Sequence, residues 1–600
     1  MTEYFEVHGR DGAARLGELR LDDPVSTPAL VDSVEQSSTG GRTQSGNEVI
    51  EDAGSLWARE RELPEGADDR LTILPHRAFP PGTRDPVRES FRVEHPEIDA
   101  PTAAVISSEE ARDVGADAYL LSDANGFVGH ASAFKDAIVR THEAIPADTA
   151  LYLSGVATPR NVATLVYAGV DLVDAKKAKI RGAEGFYLTS EGERFLEDLR
   201  ELPCSCSACQ QPIEAFDRRD CAEHNANALR TELRVVRERI REGRLRDYVE
   251  GQARHDQWLT AAFREFDQQY QYVEERAPVV RDSELAAASG DSIRRPEIQR
   301  FAERVTNRYE TEFDGPLVLV PCSAKKPYSE SQSHRQFHDA IQWRGHLASM
   351  TSPIGVVPQE LELTYPAQQY DTVVTGRWTA DEQEFVAEVL RRYLERNDYD
   401  RVVAHVPPGG YTQICETVEP AVDAEFEYTV VDHPTTDESL AALSEALSGV
   451  EAYQKRTREH RIVRAMADYQ IGEGAGEALF PSDEIQTTSR YPKLQVRDTD
   501  GEQLATMVPQ YGVLSFTTAG ARKWAESDAP SKTVEIDGFV PKGSVLAPGI
   551  VDADEEIRTG DDVIVSGPKA FGVGRAAMFG EEMQDSTRGI AVEMRHVDET

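Results

Sequence analysis

Between Ala103 and Ala175 short apolar runs alternate with segments of helical period, and this alternation constrains the fold more than any other feature. AAVIS from Ala103, AYLLSD (Ala118–Asp123), ALYLSGV (Ala150–Val156) and VDLVDA (Val170–Ala175) read as strands. Between them lie SEEARDVGA, with Ser108 as its cap, and ASAFKDAIVRTHEAI (Ala131–Ile145), an amphipathic helix. TPRNVATLVYAG (Thr158–Gly169) is expected to be a helix capped by Thr158 with Pro159 at its first position. Strands alternating with helices require a parallel sheet, either open or of (β/α)8 type. Upstream, Met1 to Ile98 reads as irregular, with a Ser/Thr/Gly/Gln-rich loop over Ser33–Val49 and proline punctuation over Pro75–Pro86.

The same rhythm returns over 314–450. Leu317-Val318-Leu319-Val320 is a buried strand, and Tyr370–Trp378 is a strand and turn. Thr379–Asn397 is a helix opened by a capping box, Thr379 with Glu382. Tyr399–Tyr411 is a strand ending in His405 and a Pro-Pro-Gly-Gly loop, and Phe426–Leu447 is a strand then a helix.

Six hundred residues imply several domains. No run of eighteen apolar residues is present, and MTEYFEVHGR lacks the basic-then-apolar form of a signal peptide, so a soluble, cytoplasmic chain with no membrane partner is expected. Six cysteines in this length exclude a disulfide scaffold. The net charge is −41, and only 12 of 65 basic residues are Lys. The acid is spread along segments with apolar periodicity, which excludes a disordered acidic tail as its source and resembles a halophilic archaeal protein. The lack of a basic stripe ordinarily argues against RNA. In molar salt, however, phosphate contacts gain little from counterion release, and shape, 2′-OH and base contacts carry more of the binding.

The chemistry is concentrated at Pro321–His334, PCSAKKPYSESQSH, just past an apolar strand. It holds a thiol (Cys322), amines (Lys325, Lys326), a phenol (Tyr328), hydroxyls (Ser323, Ser329, Ser331, Ser333) and an imidazole (His334). Ligands of open α/β sheets bind beyond the carboxyl ends of strands. A thiol attacks as its thiolate, which nearby cations favour, and Lys325, Lys326 and His334 could supply them if the loop folds back. The plain alternative is a strand-to-loop junction with solvated lysines and a half-buried Cys. His405, Gly409 and Gly410 could face Cys322 across the strand ends.

Cys204-x-Cys206-x2-Cys209 with His224 offers three thiolates and an imidazole, the set Zn²⁺ takes in closed structural sites. Cys221 competes with His224 as the fourth ligand. Leu229–Val249 follows as a long Arg/Glu-rich helix. Residues 531–600 are short strands with Gly turns, expected to form a small β-barrel. There Gly543, Gly549 and Gly560 serve turns and close backbone approach, and Lys542, Arg575 and Arg588 are candidate phosphate contacts.

Pro321-Cys322, three residues, Lys326-Pro327-Tyr328, two residues, Ser331, two residues, His334 resembles the signature of the archaeosine synthase family. LYLSGVATPRNVATLVYAGVDLVDA resembles the recognition strand, helix and nucleophile strand of tRNA-guanine transglycosylases, with Asp174 at the catalytic aspartate. The family's DSGGFQ stretch is absent, KKAKIRG replaces its PTR, and strands are short upstream, so Asp174 reads as vestigial. The Cys/His cluster resembles the transglycosylase zinc site, 467–525 the small domain of archaeal transglycosylases, and GSVLAPGIVDADEEIRTGDDVIV with GVGRAAM and RGIAVEMRHVD a PUA domain.

The resemblance implies a multidomain α/β protein: a degenerate transglycosylase-like (β/α) barrel with a zinc site (1–300), a second α/β core domain (301–450), a small α+β domain (451–528) and a β-barrel PUA domain (529–600). It implies an enzyme adding a nitrogen nucleophile to the nitrile of 7-cyano-7-deazaguanine at position 15 of the tRNA D-loop. Catalytic residues would be Cys322, Lys326, Tyr328, Ser331 and His334, with RNA contacts at Lys542, Gly549, Arg575 and Arg588. The partners would be tRNA, an amine donor (lysine, glutamine or ammonia), a radical-SAM lyase if lysine is the donor, and a second copy of the chain. No glutaminase motif stands out, which favours lysine. The rivals are a transglycosylase working through Asp174 and a non-enzymatic PUA-bearing tRNA-binding factor.

Overall fold

The computed structural model describes residues 3–32, 48–52, 65–77, 79, 83–91, 93, 98–372 and 377–600. Most of the Ser33–Val49 loop, parts of Pro75–Pro86 and positions 373–376 of the expected strand and turn lie outside the described residues. The chain divides into two compact units. One is Met1–Pro278 with Leu546–Gly549 and Glu581–Ala591, and the other is Val279–Val545 with Ile550–Gly580 and Val592–Thr600.

The first unit carries the curled parallel sheet expected of a reduced barrel. Its seven strands run in the order Ala29–Leu30, Leu172–Val173, Ala150–Leu153, Ala118–Leu121, Thr102–Ile106, Leu71–Ile73, Ile50–Asp52. One backbone hydrogen bond, Val49 N to Val31 O at 2.9 Å, links its two edges. The N-terminal residues are therefore not irregular. They supply three strands to this sheet and a separate antiparallel sheet of Phe5–Asp11, Ala14–Leu19 and Val25–Thr27. Strands two or three residues long are too short to show a periodicity, although Leu30, Val31, Leu71 and Ile73 are all buried.

Ala131–His142 is helical as expected. The next helix begins later than Thr158, at Val162–Tyr167, because the Asn161 carboxamide accepts the Thr158 N–H at 2.8 Å and donates to Val156 O, fixing a turn there. The long helix starts at Arg218, eleven residues before Leu229, and runs to Arg241, opened by a capping box of Asp217 and Asp220.

In the second unit the core sheet consists of β1 (Leu317–Pro321), β2 (His346–Thr351), β3 (Gly355–Pro358), β4 (Arg401–Ala404) and β5 (Glu425–Tyr428). Helices α1 (Gln332–Ile341), α2 (Ala380–Arg396), α3 (Gly410–Val418) and α4 (Asp437–Ala446) accompany it. The strand order is β3-β2-β1-β4-β5. All neighbours are parallel except the β2/β3 hairpin. β1 is buried except at Pro321, as its apolar run requires. Tyr370–Thr372, expected as a strand, is one, but it pairs with Leu285–Ala287 instead of joining this sheet. α2 opens with the expected box: the Thr379 hydroxyl accepts the Glu382 N–H, and the Glu382 carboxylate accepts the Thr379 N–H.

α5 (Lys455–Gln470) leads to a four-stranded antiparallel sheet and the helix Thr518–Glu526. The C-terminal segment forms a six-stranded mixed sheet.

Candidate active site and metal centre

β1 and β4 lie side by side, and the chain leaves them toward opposite edges of the sheet, β1 to β2 and β4 to β5. Such a switch point opens a crevice at the carboxyl ends. Both loops that bear chemistry start here. Cys322 follows β1, its N–H donating to Met350 O at 3.1 Å. From the other side of the crevice the Pro-Pro-Gly-Gly loop delivers Tyr411, whose Oη lies 3.2 Å from Cys322 Sγ. Gly409 makes this turn with φ of 103°, open only to glycine at low cost. Trp378 packs on the Tyr411 ring, centroids 4.5 Å apart.

Lys326 places its Nζ 3.8 Å from the centre of the Tyr370 ring. Burial lowers its pKa, and the neighbouring Cys322, Asp371 and Glu284 oppose that. Tyr370 Oη bonds Tyr328 Oη and Thr351 Oγ1, each at 2.6 Å, in a fully buried triplet. Burial raises both phenols, Tyr328 well above its ordinary value. Tyr411 is raised too, first by burial and then by Cys322. The crevice thus brings together a thiol, a hydroxyl donor and an amine beside an aromatic wall. This set can attack an electrophilic carbon and protonate the atom that takes up its charge.

The other signature residues have local partners of their own. Lys325 is exposed and paired with Glu330 at 3.1 Å. Ser331 caps α1, its hydroxyl accepting the His334 N–H. His334 is 1% exposed, stacks on Tyr328 and donates from Nε2 to Pro321 O at 3.1 Å. Burial pulls its pKa down to about 4, so it is neutral and supplies no cation. Of the three expected cations, Lys326 alone lies against the thiol cluster. His405 turns away from it: Nδ1 bonds Thr429 Oγ1 and Nε2 donates to Pro434 O at 2.7 Å. Tyr411, Trp378 and Tyr370 were missed in the sequence. Tyr411 is the last residue of the loop already singled out, and its place beside a Gly-Gly turn was the available signal.

Asp174 is fully buried and saturated. Its carboxylate accepts from Tyr152 Oη (2.8 Å), Ser154 Oγ (2.6 Å), Gly155 N (3.0 Å) and Lys176 N (3.1 Å). Every lone pair is engaged in holding two strand ends together.

Cys204, Cys206, Cys209 and His224 offer ligand atoms that all lie within 4.8 Å of one another and could hold a metal ion. Burial pushes the Cys209 thiol up to about 12 and raises Cys204 as well, a cost that a bound cation reverses. His224 Nε2 donates to Leu188 O at 2.9 Å, which leaves Nδ1 free to ligate, 3.3 Å from Cys209 Sγ. Cys221 instead directs its thiol to Phe186 O. One turn of the Arg218–Arg241 helix therefore separates a ligand-positioned His224 from a Cys221 outside the cluster.

Known proteins resemble this chain along its whole length. The chain is 66% identical over its whole length, and the whole of the other chain, to a protein named archaeosine synthase in Haloferax volcanii. The chain belongs to the archaeosine synthase family. It is 40% identical, again over both full lengths, to the archaeosine synthase subunit alpha of Methanosarcina acetivorans. It is 28% identical to the tRNA-guanine(15) transglycosylase of Methanothermobacter thermautotrophicus, over 77% of this chain and 68% of that one. Four family models match: queuine tRNA-ribosyltransferase at 102–257, a domain of unknown function (DUF5591) at 298–447, the patch-forming domain C2 of tRNA-guanine transglycosylase at 461–531, and the PUA domain at 536–597. The thiol crevice lies within the match of unknown function.

The family's C-terminal PUA domain carries the four candidate RNA contacts. Lys542 is exposed, and Gly549 and Arg588 are half-buried. Arg575 is also half-buried, stacked over Tyr511 at 4.9 Å with Nε donating to Gly560 O. No helix among the described residues is long and apolar enough to cross a membrane.

Proposed function

We propose that this protein adds a nitrogen nucleophile to the nitrile of 7-cyano-7-deazaguanine at position 15 of tRNA. The observation that carries the reading is Cys322 held 3.2 Å from Tyr411 Oη at the switch point, with Lys326 alongside. Cys322 sulfur adds to the nitrile carbon, and the nitrile nitrogen takes the thiol's proton by way of Tyr411, giving a thioimidate. The donor amine attacks the same carbon, the C–S bond breaks, and the amine's proton returns to sulfur. The product is an amidine and no electrons are exchanged. Lys326 stabilises charge developing on nitrogen. Trp378 and Tyr411 offer a face on which the flipped base stacks. Tyr328, Ser331 and His334 fix the loop and its buried wall.

The rest of the molecule serves delivery. The 1–300 segment is a transglycosylase relic that holds tRNA without exchanging bases, Asp174 being a strut. A structural Zn²⁺ occupies Cys204, Cys206, Cys209 and His224. Residues 529–600 bind tRNA through Lys542, Gly549, Arg588 and, after some rearrangement, Arg575. The chain works in the cytoplasm as a homodimer, and a radical-SAM lyase completes archaeosine if the donor is lysine. The test is Cys322→Ala: transfer to nitrile-bearing tRNA is abolished and tRNA binding is kept. Full activity in that variant would eliminate the covalent route.

A further inference from the structure

The signature residues fall into two groups. Cys322 and Lys326 belong to the thiol crevice. Tyr328 and His334 make no hydrogen bond to the thiol among those of the described residues, and both line a cavity of about 180 Å³ between the core sheet and α5. Its walls are apolar: Leu347, Val357, Ile462 and, at the mouth, the 40% exposed Trp343. Two oppositely charged lining residues carry buried polar atoms that make no hydrogen bond, Arg458 Nε and Glu459 Oε1. The Arg458 guanidinium lies 3.3 Å from the centre of the Trp343 ring, held at the cavity wall. Glu459 is 9% exposed. Its other oxygen accepts from Thr487, and Oε1 itself pairs with Lys455 Nζ, 3.5 Å away and 71% exposed. Deeper in, Glu360 and Glu362 are tied to His346 and to Ser329 N and Tyr491 Oη.

Arg458 Nε, without a hydrogen bond, and a Glu459 oxygen paired only with the exposed Lys455 stand at an apolar cavity, and a ligand carrying both charges would pair with the two of them. A free α-amino acid does so: its carboxylate matches the planar guanidinium and its ammonium the carboxylate, while an unbranched aliphatic chain covers Leu347, Val357 and Ile462.

We propose that this cavity binds the free α-amino acid that donates the nitrogen. The claim rests on the nitrile-addition reading for the word donor, but not for the binding. It accounts for the presence of Tyr328 and His334 in the signature. They border both sites, since His334 bonds the carbonyl of Pro321, next to Cys322, and Tyr328 bonds the ring on which Lys326 rests.

The experiment uses the full-length protein in molar salt. Lysine, glutamine and ammonium are each titrated by calorimetry and each supplied to the transfer assay. One of the two amino acids is expected to bind saturably. Arg458→Ala and Glu459→Gln should each weaken that binding at least tenfold and raise KM for the same amino acid by a similar factor. The rate at saturation and the affinity for tRNA should stay within twofold. Glu459→Gln keeps an acceptor for Thr487, so it remains informative if Arg458→Ala unfolds. Amino-acid binding that is lost in the variants, with no transfer from any donor, would uphold the site and sink the parent reading. Transfer from ammonium alone, or KM unchanged in both variants, would overturn the site and leave the parent reading standing.

Discussion

At the residue scale the account turns on one hydroxyl. If Tyr411 carries the proton between thiol and nitrile nitrogen, Tyr411→Phe removes a general acid while keeping the ring that packs on Trp378. A loss of about 10²-fold or more in kcat is expected, with KM for tRNA little changed. Asp174→Asn has the opposite signature. It weakens a fully bonded buried carboxylate, so the melting temperature falls while transfer per folded molecule is unchanged and no base exchange is lost. Burial holds His334 and His338 neutral, each pulled down to about 4 from an ordinary value of about 6.5. Between those values the unfolded chain binds more protons than the folded one. Stability is therefore complete above about pH 6.5 and declines as pH falls toward 4, each group contributing a slope approaching ~1.4 kcal/mol per pH unit. Melting temperatures measured across that range should fall less steeply for His338→Gln than for the parent chain.

At the scale of elements, the metal cluster should hold a segment with little structure of its own. Leu196 to Ala215 contains only 3₁₀ turns between Phe195 and the Arg218–Arg241 helix. Chelation, or Cys206→Ala, is expected to lower the melting temperature by roughly 5 °C or more and to open this segment to protease, with one Zn²⁺ per chain released. Cys221→Ala should leave the metal content intact, because that thiol faces Phe186 O. The elements also show what the sequence could reveal. The capping box of α2, the apolar β1 and the Cys/His spacing are local signals, decided within a few residues, and they were legible. The two- and three-residue strands of Met1–Ile98 were not, because they are set by pairing with other strands and not by a local period, at separations as long as that from Ala29 to Leu172. The signature loop named Cys322 and Lys326 correctly as neighbours. It gave no means of knowing that Tyr411, eighty-nine positions on, completes the set. Nor did it show that Ser331 spends its hydroxyl as a helix cap and that His334 is buried and neutral. Residue type announces chemistry, whereas orientation is settled by the fold.

For the whole molecule the dominant quantity is the charge of −41. Self-repulsion on that scale destabilises the compact chain at low ionic strength, and at 1 M salt the Debye length is down to about 3 Å. The melting temperature is therefore expected to rise between 0.1 and 2 M salt, in contrast to a chain held together by surface ion pairs. Assays at low salt would then measure a partly unfolded population.

The central claim is that Cys322 builds a covalent thioimidate with the nitrile of tRNA-bound 7-cyano-7-deazaguanine. It is tested most directly by mass spectrometry of the intact protein incubated in molar salt with nitrile-bearing tRNA and no amine donor, then digested with nuclease. The account predicts a mass increase corresponding to the modified nucleotide on the peptide containing Cys322, absent from Cys322→Ala and discharged when the donor is added. An unmodified Cys322 peptide under conditions where the complete mixture turns over would contradict it.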